Sequence, residues 1–306
     1  MLFRSCGNYT GLIQVIGETD VGFHIKQLSL KTGEYTPIYE LPFDRTPVFG
    51  SLNAVGINPV DGVAYGLMKL PGDAPSYLVR FDKGNFDKGN VAFLAQVPEH
   101  SAAGAVDDDG TFLWEKGRDL YAIKGIAEME GFANPDDALD ESNIEPVVTR
   151  PTGGGVSDIA AVKADLGDGE GSYVMGVTGK RELRIYRYDV PEGVWDVDLF
   201  EADGSNDGIP TGAFGAAWSN DGRVYFAANS GLGIYEVLID TIDLDAGTAE
   251  IRRVASSEAT DWNDGMNCPD RPVCIPATFG SGYGYGWGDW AASGDRTPIE
   301  AGTAEP

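Results

Sequence analysis

The residues able to do chemistry are scarce in some classes and abundant in others. Histidine occurs twice, as His24 and His100. A nucleophile–His–acid triad needs a positioned imidazole. His24 falls inside an alternating apolar run and reads as a structural histidine. His100, in VPEHSAAGA, falls where two groups of strands meet and is the better site candidate, although the sequence identifies no partner for it. A nucleophile elbow needs a strand–turn–helix setting, and the near match at Gly280-Ser281-Gly282 has none. Gly153-Gly154-Gly155 is followed by neither Lys-Ser/Thr nor a helix, so it does not cradle phosphate. No catalytic residue is assigned.

Carboxylates are so frequent that pairs of them say little: 48 acidic residues stand against 22 basic ones, for a net charge of −26. Calcium is the one cofactor ion they could hold, because it takes several oxygen ligands from short loops. Asp107-Asp108-Asp109, the run from Asp165 to Glu170 and the run from Asp203 to Asp207 are the candidate loops, and none matches an EF-hand. The best ligand set is Asp203, Ser205, Asn206 and Asp207, which alternate closely. Ordinary acidic turns on a charged surface explain the same runs. Asp61, Asp107 and Asp158 lie near predicted inner strands, but turn residues are expected at the rim.

Three cysteines are present, Cys6, Cys268 and Cys274. Zinc wants about four Cys or His ligands and is excluded. Three buried thiols are one reading; one disulfide made in an oxidising compartment is the other. The tripeptide Asn8-Tyr9-Thr10 makes Asn8 a glycosylation candidate, consistent with secretion. The first residues, MLFRSCGNYT, lack the apolar core of a signal peptide.

What positions these residues is a set of short strands. Hydrophobic residues make up 42% of the 306, enough for a core, and the 42 glycines are about twice the usual share. The acidic charge is the wrong sign for a nucleic-acid partner and disfavours anionic membrane surfaces. No run approaches about 18 apolar residues, so no helix inserts in a membrane. Short runs of Val, Ile, Leu, Tyr and Phe recur, broken by Gly, Asp, Asn and Pro. The pattern repeats. A small apolar run, an Asp-Gly turn and a strand recur from Leu52 to Leu67, Ala102 to Gly117, Val156 to Gly179 and Ala213 to Gly231. Asp61-Gly62, Asp109-Gly110, Asp168-Gly169 and Asp221-Gly222 supply the corners, where Gly takes positive φ without steric cost. Third and fourth strands follow each corner.

Four strands per repeat predict an all-β fold, a single β-propeller over residues 1–275 with five four-stranded blades. Six is the alternative if the C-terminal segment makes its own blade. The N-terminal runs LIQVIGE, FHIKQLSL and YTPIYELP lack an inner strand. The segment from Thr260 to Cys274 is its natural donor, with an Asn-Asp-Gly turn expected at Asn263 to Gly265. A bridge from Cys6 to Cys268 or Cys274 would staple such a ring shut, and Cys6–Cys268 is preferred over a local Cys268–Cys274 bridge. An acidic excursion from Gly131 to Pro146 fits no blade and holds a short helix near Pro135 to Leu139. Residues 276–306 read as a Gly- and aromatic-rich tail, a linker or an interaction segment using Tyr283, Tyr285, Trp287 and Trp290.

The stretch LNAVGINPVDGVAYGL resembles the hallmark of the DUF6923 family, β-propeller domains of secreted or surface proteins. Asn53, Ala54, Gly56, Asn58, Pro59, Asp61, Gly62, Tyr65 and Gly66 match it. The element from Trp262 to Cys268 and the early Cys6-Gly-Asn-Tyr are similar to its other elements, and the likeness runs over residues 5 to 275. Cys274, the excursion and the long third turn depart from the pattern. The resemblance implies fold and setting but no catalytic site.

These observations lead to a non-enzymatic interaction or scaffold module. It would be extracellular or at a cell surface, wall or matrix, binding a protein or polysaccharide through loops at a propeller face. A propeller enzyme, a calcium-dependent lactonase-like hydrolase or a carbohydrate lyase, is the alternative.

Overall fold

The computed structural model describes residues 12–18, 22–42, 51–72, 75–82, 91–151, 154–167, 169–190, 193–260 and 263–268. Every regular element among them is a strand or a single 3-10 turn, and the arrangement is propeller-like. The first group holds β1 (Leu12–Glu18), β2 (Gly22–Leu28) and β3 (Tyr35–Pro42). The second holds β4 (Ser51–Ile57), β5 (Ala64–Lys69), β6 (Ser76–Phe81) and β7 (Val91–Val97). The third starts with β8 (Ala103–Val106), β9 (Phe112–Lys116) and β10 (Asp119–Ile123). After two short strands, β11 (Leu139–Asp140) and β12 (Val148–Thr149), the fourth runs through β13 (Ala160–Asp165), β14 (Glu170–Val177), β15 (Glu182–Arg187) and β16 (Gly193–Phe200). The fifth comprises β17 (Phe214–Asn220), β18 (Arg223–Ala228), β19 (Gly233–Asp243) and β20 (Thr248–Ala255), and β21 (Asn263–Asn267) follows.

Within each group, neighbours in sequence pair antiparallel, as expected of strands joined by tight turns. Gly62, Gly110 and Gly222 take φ of 71°, 79° and 70° at the corners between β4 and β5, β8 and β9, and β17 and β18. The last strand returns to the first group: β21 pairs antiparallel with β1 from Leu12↔Asn267 to Ile16↔Asn263. β21 lies within the segment from Thr260 to Cys274, but not in the local form expected there. Asn263-Asp264-Gly265 lies inside a strand rather than at a turn, because pairing with β1 overrides the local turn preference.

The inner strands converge. β4 lies against β8, β8 against β13, β13 against β17, β17 against β21, and β21 against β4. Apolar cores fill each gap between neighbouring groups. Leu67 and Leu78 meet Phe112 and Trp114, Leu113 and Leu120 meet Val174, and Leu183 and Ile185 meet Val224 and Phe226. Trp218 and Tyr225 meet Leu12 and Leu28, and Ile13 and Phe23 meet Leu52 and Phe81.

Outer edges are covered unevenly. β16 pairs parallel with β20, from Asp198↔Thr248 to Phe200↔Glu250, so the fourth and fifth groups share one sheet. The acidic excursion does join a sheet, contrary to the sequence expectation. Its helix is a single 3-10 turn at Pro135–Asp137, capped by the Asn134 side chain. Phe132 then pairs with Phe93, and β11 pairs parallel with β7. The excursion thus shields an edge that would invite association.

Candidate functional site

The hallmark stretch acts on the centre of the molecule. Asn58 is fully buried, its backbone N–H donating to Val63 and its Oδ1 accepting from Val60 N–H at 2.9 Å. Asp61 accepts from Val63 N–H at 3.0 Å and from the Tyr65 hydroxyl at 2.5 Å. These bonds fix the corner after β4. Upstream, the β4–β5 register shifts between Asn53 and Gly56, and Ala54 sits at φ 55°. An L-residue there costs about 1–2 kcal/mol. The bulge frees Val55 N–H from the ladder, and it donates to Asp264 Oδ2 at 2.9 Å.

Asp264 on β21 and Asp158, just before β13, are both buried where the inner strands meet. Asp158 Oδ1 accepts from Ile159 N–H at 2.7 Å and Gly104 N–H at 3.5 Å. Its Oδ2 accepts from Ala217 N–H at 2.5 Å and Gly265 N–H at 3.3 Å. Asp264 Oδ1 accepts from Gly265 N–H at 2.8 Å. Two carboxyls therefore gather backbone donors from β4, β8, β17 and β21, and they hydrogen-bond each other. Burial raises both above the usual carboxylate range, and the neighbouring Asp158 charge raises Asp264 further. Asp158 receives the greater number of N–H donors. That count favours the charge on Asp158 and the shared proton on Asp264.

Close approach makes this possible. A Cβ on Gly104 would stand 2.5 Å from the Ala54 Cβ, one on Gly56 would stand 2.7 Å from Val106 N, and one on Gly265 would strike the Ala217 carbonyl.

Asp158 corrects the sequence expectation: it is not at a rim but at the centre. Asp107 is a turn residue as expected. Its Oδ1 accepts from Asp109 and Thr111 N–H and its Oδ2 from the Tyr188 hydroxyl at 2.8 Å. A depression of about 120 Å³, room for a few waters, opens beside it, bordered by Asp107, Asp108, Lys163, Asp221 and Asn267.

The metal candidates lie apart from this region. Asp203 Oδ1 accepts from Ser205 N–H at 2.9 Å, and Asn206 Oδ1 accepts from Arg181 at 3.4 Å. Asp207 closes the same exposed loop. Among the described residues, no three His, Cys, Asp or Glu side chains are grouped to hold a metal ion. Cys268 is buried and disulfide-bonded. Cys6, Cys274, Asn8, Tyr283, Tyr285, Trp287 and Trp290 lie outside the described residues.

A second charged centre, not foreseen, joins the third and fourth groups. Glu115, Arg150 and Arg184 are all buried. Arg150 lies 3.3 Å from Glu115, Arg184 pairs with Asp196 at 2.8 Å, and both arginines donate to the Gly154 carbonyl. Burial pushes the Glu115 carboxyl up to about 7 against the pull of the two arginines. His100, expected at a junction, finds a partner invisible in the sequence: its Nε2 is 3.0 Å from Ser51 Oγ.

The family described as a repeat of unknown function, DUF6923, matches residues 30–270. The chain belongs to the DUF6923 family. Among curated proteins nothing matches it. Among solved structures it is similar to the GH43_1 enzyme from Xanthomonas citri complexed with xylotriose. Identity is 15%, over 66% of this chain and 72% of that one, with a TM-score of 0.35. A likeness that loose carries no argument about this DUF6923 chain. The hallmark residues named above are placed in turns, bulges and close packing, so in this family member they serve the fold.

Proposed function

We propose that the chain is a closed five-bladed propeller, β21 supplying the inner strand of the first blade, and that it is a non-catalytic interaction or scaffold module. It belongs to a secreted, cell-surface, wall or matrix protein and engages a protein or polysaccharide through loops at one face of the ring. The reading of closure is supported by β21–β1 pairing and the cyclic contact of the inner strands. The absence of catalysis is supported by one observation above all. The two carboxyls set deepest at the centre, Asp158 and Asp264, are buried and bound to backbone donors, and of those at the mouth Asp107 is taken up by Asp109 and Thr111 N–H and the Tyr188 hydroxyl. A channel enzyme needs such groups open to substrate. An extracellular setting is supported by the disulfide at Cys268, for which Cys6 is the partner we propose.

The test is a pair of screens on the purified protein. A panel of esters, lactones and glycans should show no turnover, while an array of matrix proteins and wall polysaccharides should show saturable binding. Robust hydrolysis or elimination, lost on unfolding, would overturn the reading in favour of a propeller enzyme.

A further inference from the structure

On a chain of net charge −26, two lysines stand near one histidine. Ser51 opens β4, and its register partner across the β4–β5 ladder is Lys69, so their side chains share a face. His100 precedes β8, and Lys116 ends β9. All four stand at the end of the inner strands opposite the Asp-Gly corners. Burial, Lys116 and Lys69 together push the His100 imidazole down to about 4, so it is neutral at neutral pH with two cations beside it. Glu99 is the acidic neighbour; it reaches Lys116 at 3.9 Å with both side chains exposed, a weak pair. Lys69 makes no ion pair among the described residues.

The Ser51–His100 bond leaves a donor over. A neutral imidazole carries one N–H. If it sits on Nε2 it goes to Ser51 Oγ, and the half-buried serine hydroxyl is left to solvent or to a ligand. If it sits on Nδ1, the serine donates to Nε2 and the Nδ1 proton has none; Nδ1 is buried without a partner. Either tautomer leaves one donor without an acceptor among the described residues, beside two lysines.

We infer that Ser51, Lys69, His100 and Lys116 form a subsite for a carboxylate group of the bound ligand. The inference rests on the reading that a propeller face binds a ligand, and it names the charge of that ligand. The carboxylate accepts from the half-buried Ser51 hydroxyl, whose partner nitrogen is then the Nε2–H donor, and faces both ammonium groups. It also draws a proton onto His100, so binding tightens on acidification, and protonation of Glu99 would act in the same sense.

The experiment is a titration of the full chain with trigalacturonate, and separately with inorganic phosphate, followed by NMR of the two histidine rings. The His100 signals should shift with trigalacturonate while those of His24 stay still. Lys69→Gln and Lys116→Gln should each weaken binding about five- to tenfold, with melting temperatures held near that of the parent. Unmoved His100 signals, or binding that survives both substitutions, would overturn the subsite. So would a response to phosphate alone, which would mark a free-anion site. A polysaccharide from the array that still binds Lys69→Gln and Lys116→Gln would sink the subsite and leave face binding standing. Turnover in the activity panel would strike the non-catalytic reading and leave the titration unaffected.

Discussion

Asp264 and Asp158 hydrogen-bond each other across the point where the inner strands meet, Asp264 on β21 and Asp158 just before β13, strands of two different sheets. The pair is asymmetric. Asp158 accepts from four backbone N–H groups and Asp264 from two.

That asymmetry predicts two unlike substitutions. Asp264→Asn keeps a donor for Asp158 and an acceptor for Val55 N–H, and should change unfolding free energy by less than about 1 kcal/mol. Asp158→Asn turns a donor toward groups that need an acceptor, and should cost about 2–4 kcal/mol. Denaturant unfolding of both variants decides it, and the reverse order would place the proton on Asp158.

Close packing at the centre gives a second contrast. Gly104→Ala drives a methyl group into Ala54, and Gly265→Ala drives one into the Ala217 carbonyl. Overpacking of this kind costs about 1–3 kcal/mol or more. Gly154→Ala meets nothing within 4 Å and serves as the control, with an effect near zero. Equal melting temperatures for all three would refute the packing argument.

Glu115 should contribute stability that rises on acidification from about pH 8 to about pH 5, opposed below about pH 6.5 by His100, whose imidazole is held down to about 4 in the folded state. The sign follows from linkage. Glu115 titrates near 7 when folded and near its ordinary 4.5 when unfolded, so the folded state holds the proton across that window. Stability then falls as pH rises through it. The raised central carboxyls act in the same direction. Glu115→Gln should flatten the dependence, as read from melting temperature against pH; an unchanged slope would count against this role.

Calcium should not shift the melting midpoint. One Asp203 oxygen holds Ser205 N–H and the Asn206 oxygen faces Arg181. A rise of several degrees with calcium, reversed by a chelator, would show selective binding to the folded chain and restore that loop as a site.

Reduction should destabilise the protein. With Cys6 as the partner of Cys268, the bridge spans nearly the whole chain, and the chain-entropy account assigns it about 4–5 kcal/mol. Non-reducing peptide mapping should find the Cys6–Cys268 peptide and a free thiol at Cys274. A Cys268–Cys274 peptide would replace the ring staple by a loop brace.

What was legible in the sequence was local. The Asp-Gly corners need only neighbouring residues, and Gly62, Gly110 and Gly222 adopt the positive φ expected of them. Strand runs such as SYLVRF and ELRIYR are recognisable from residue type and fall as expected on β6 and β15. The candidate site was not legible, because its members are distant in sequence. Asn263-Asp264-Gly265 carries a strong turn signal, and only pairing with β1 makes it a strand. Ser51 and His100 are 49 residues apart, and no periodicity links them. Glu115 and Arg150 are 35 residues apart, and only packing of the third group on the fourth buries both.

The strand order also sets a timetable. Among the described strands β21 leaves the ribosome after all the others, yet it lies beside β1, which leaves before them. Until it arrives, Leu12 to Ile16 of β1 lack their partner, and Asp158 lacks its hydrogen bond with Asp264. The earlier sheets can form during synthesis, but the centre stays incomplete throughout. Such distant contacts are slow to close. A nascent chain stalled short of Asn263 should therefore be sensitive to protease, and become resistant within one cooperative step once the final strand is free.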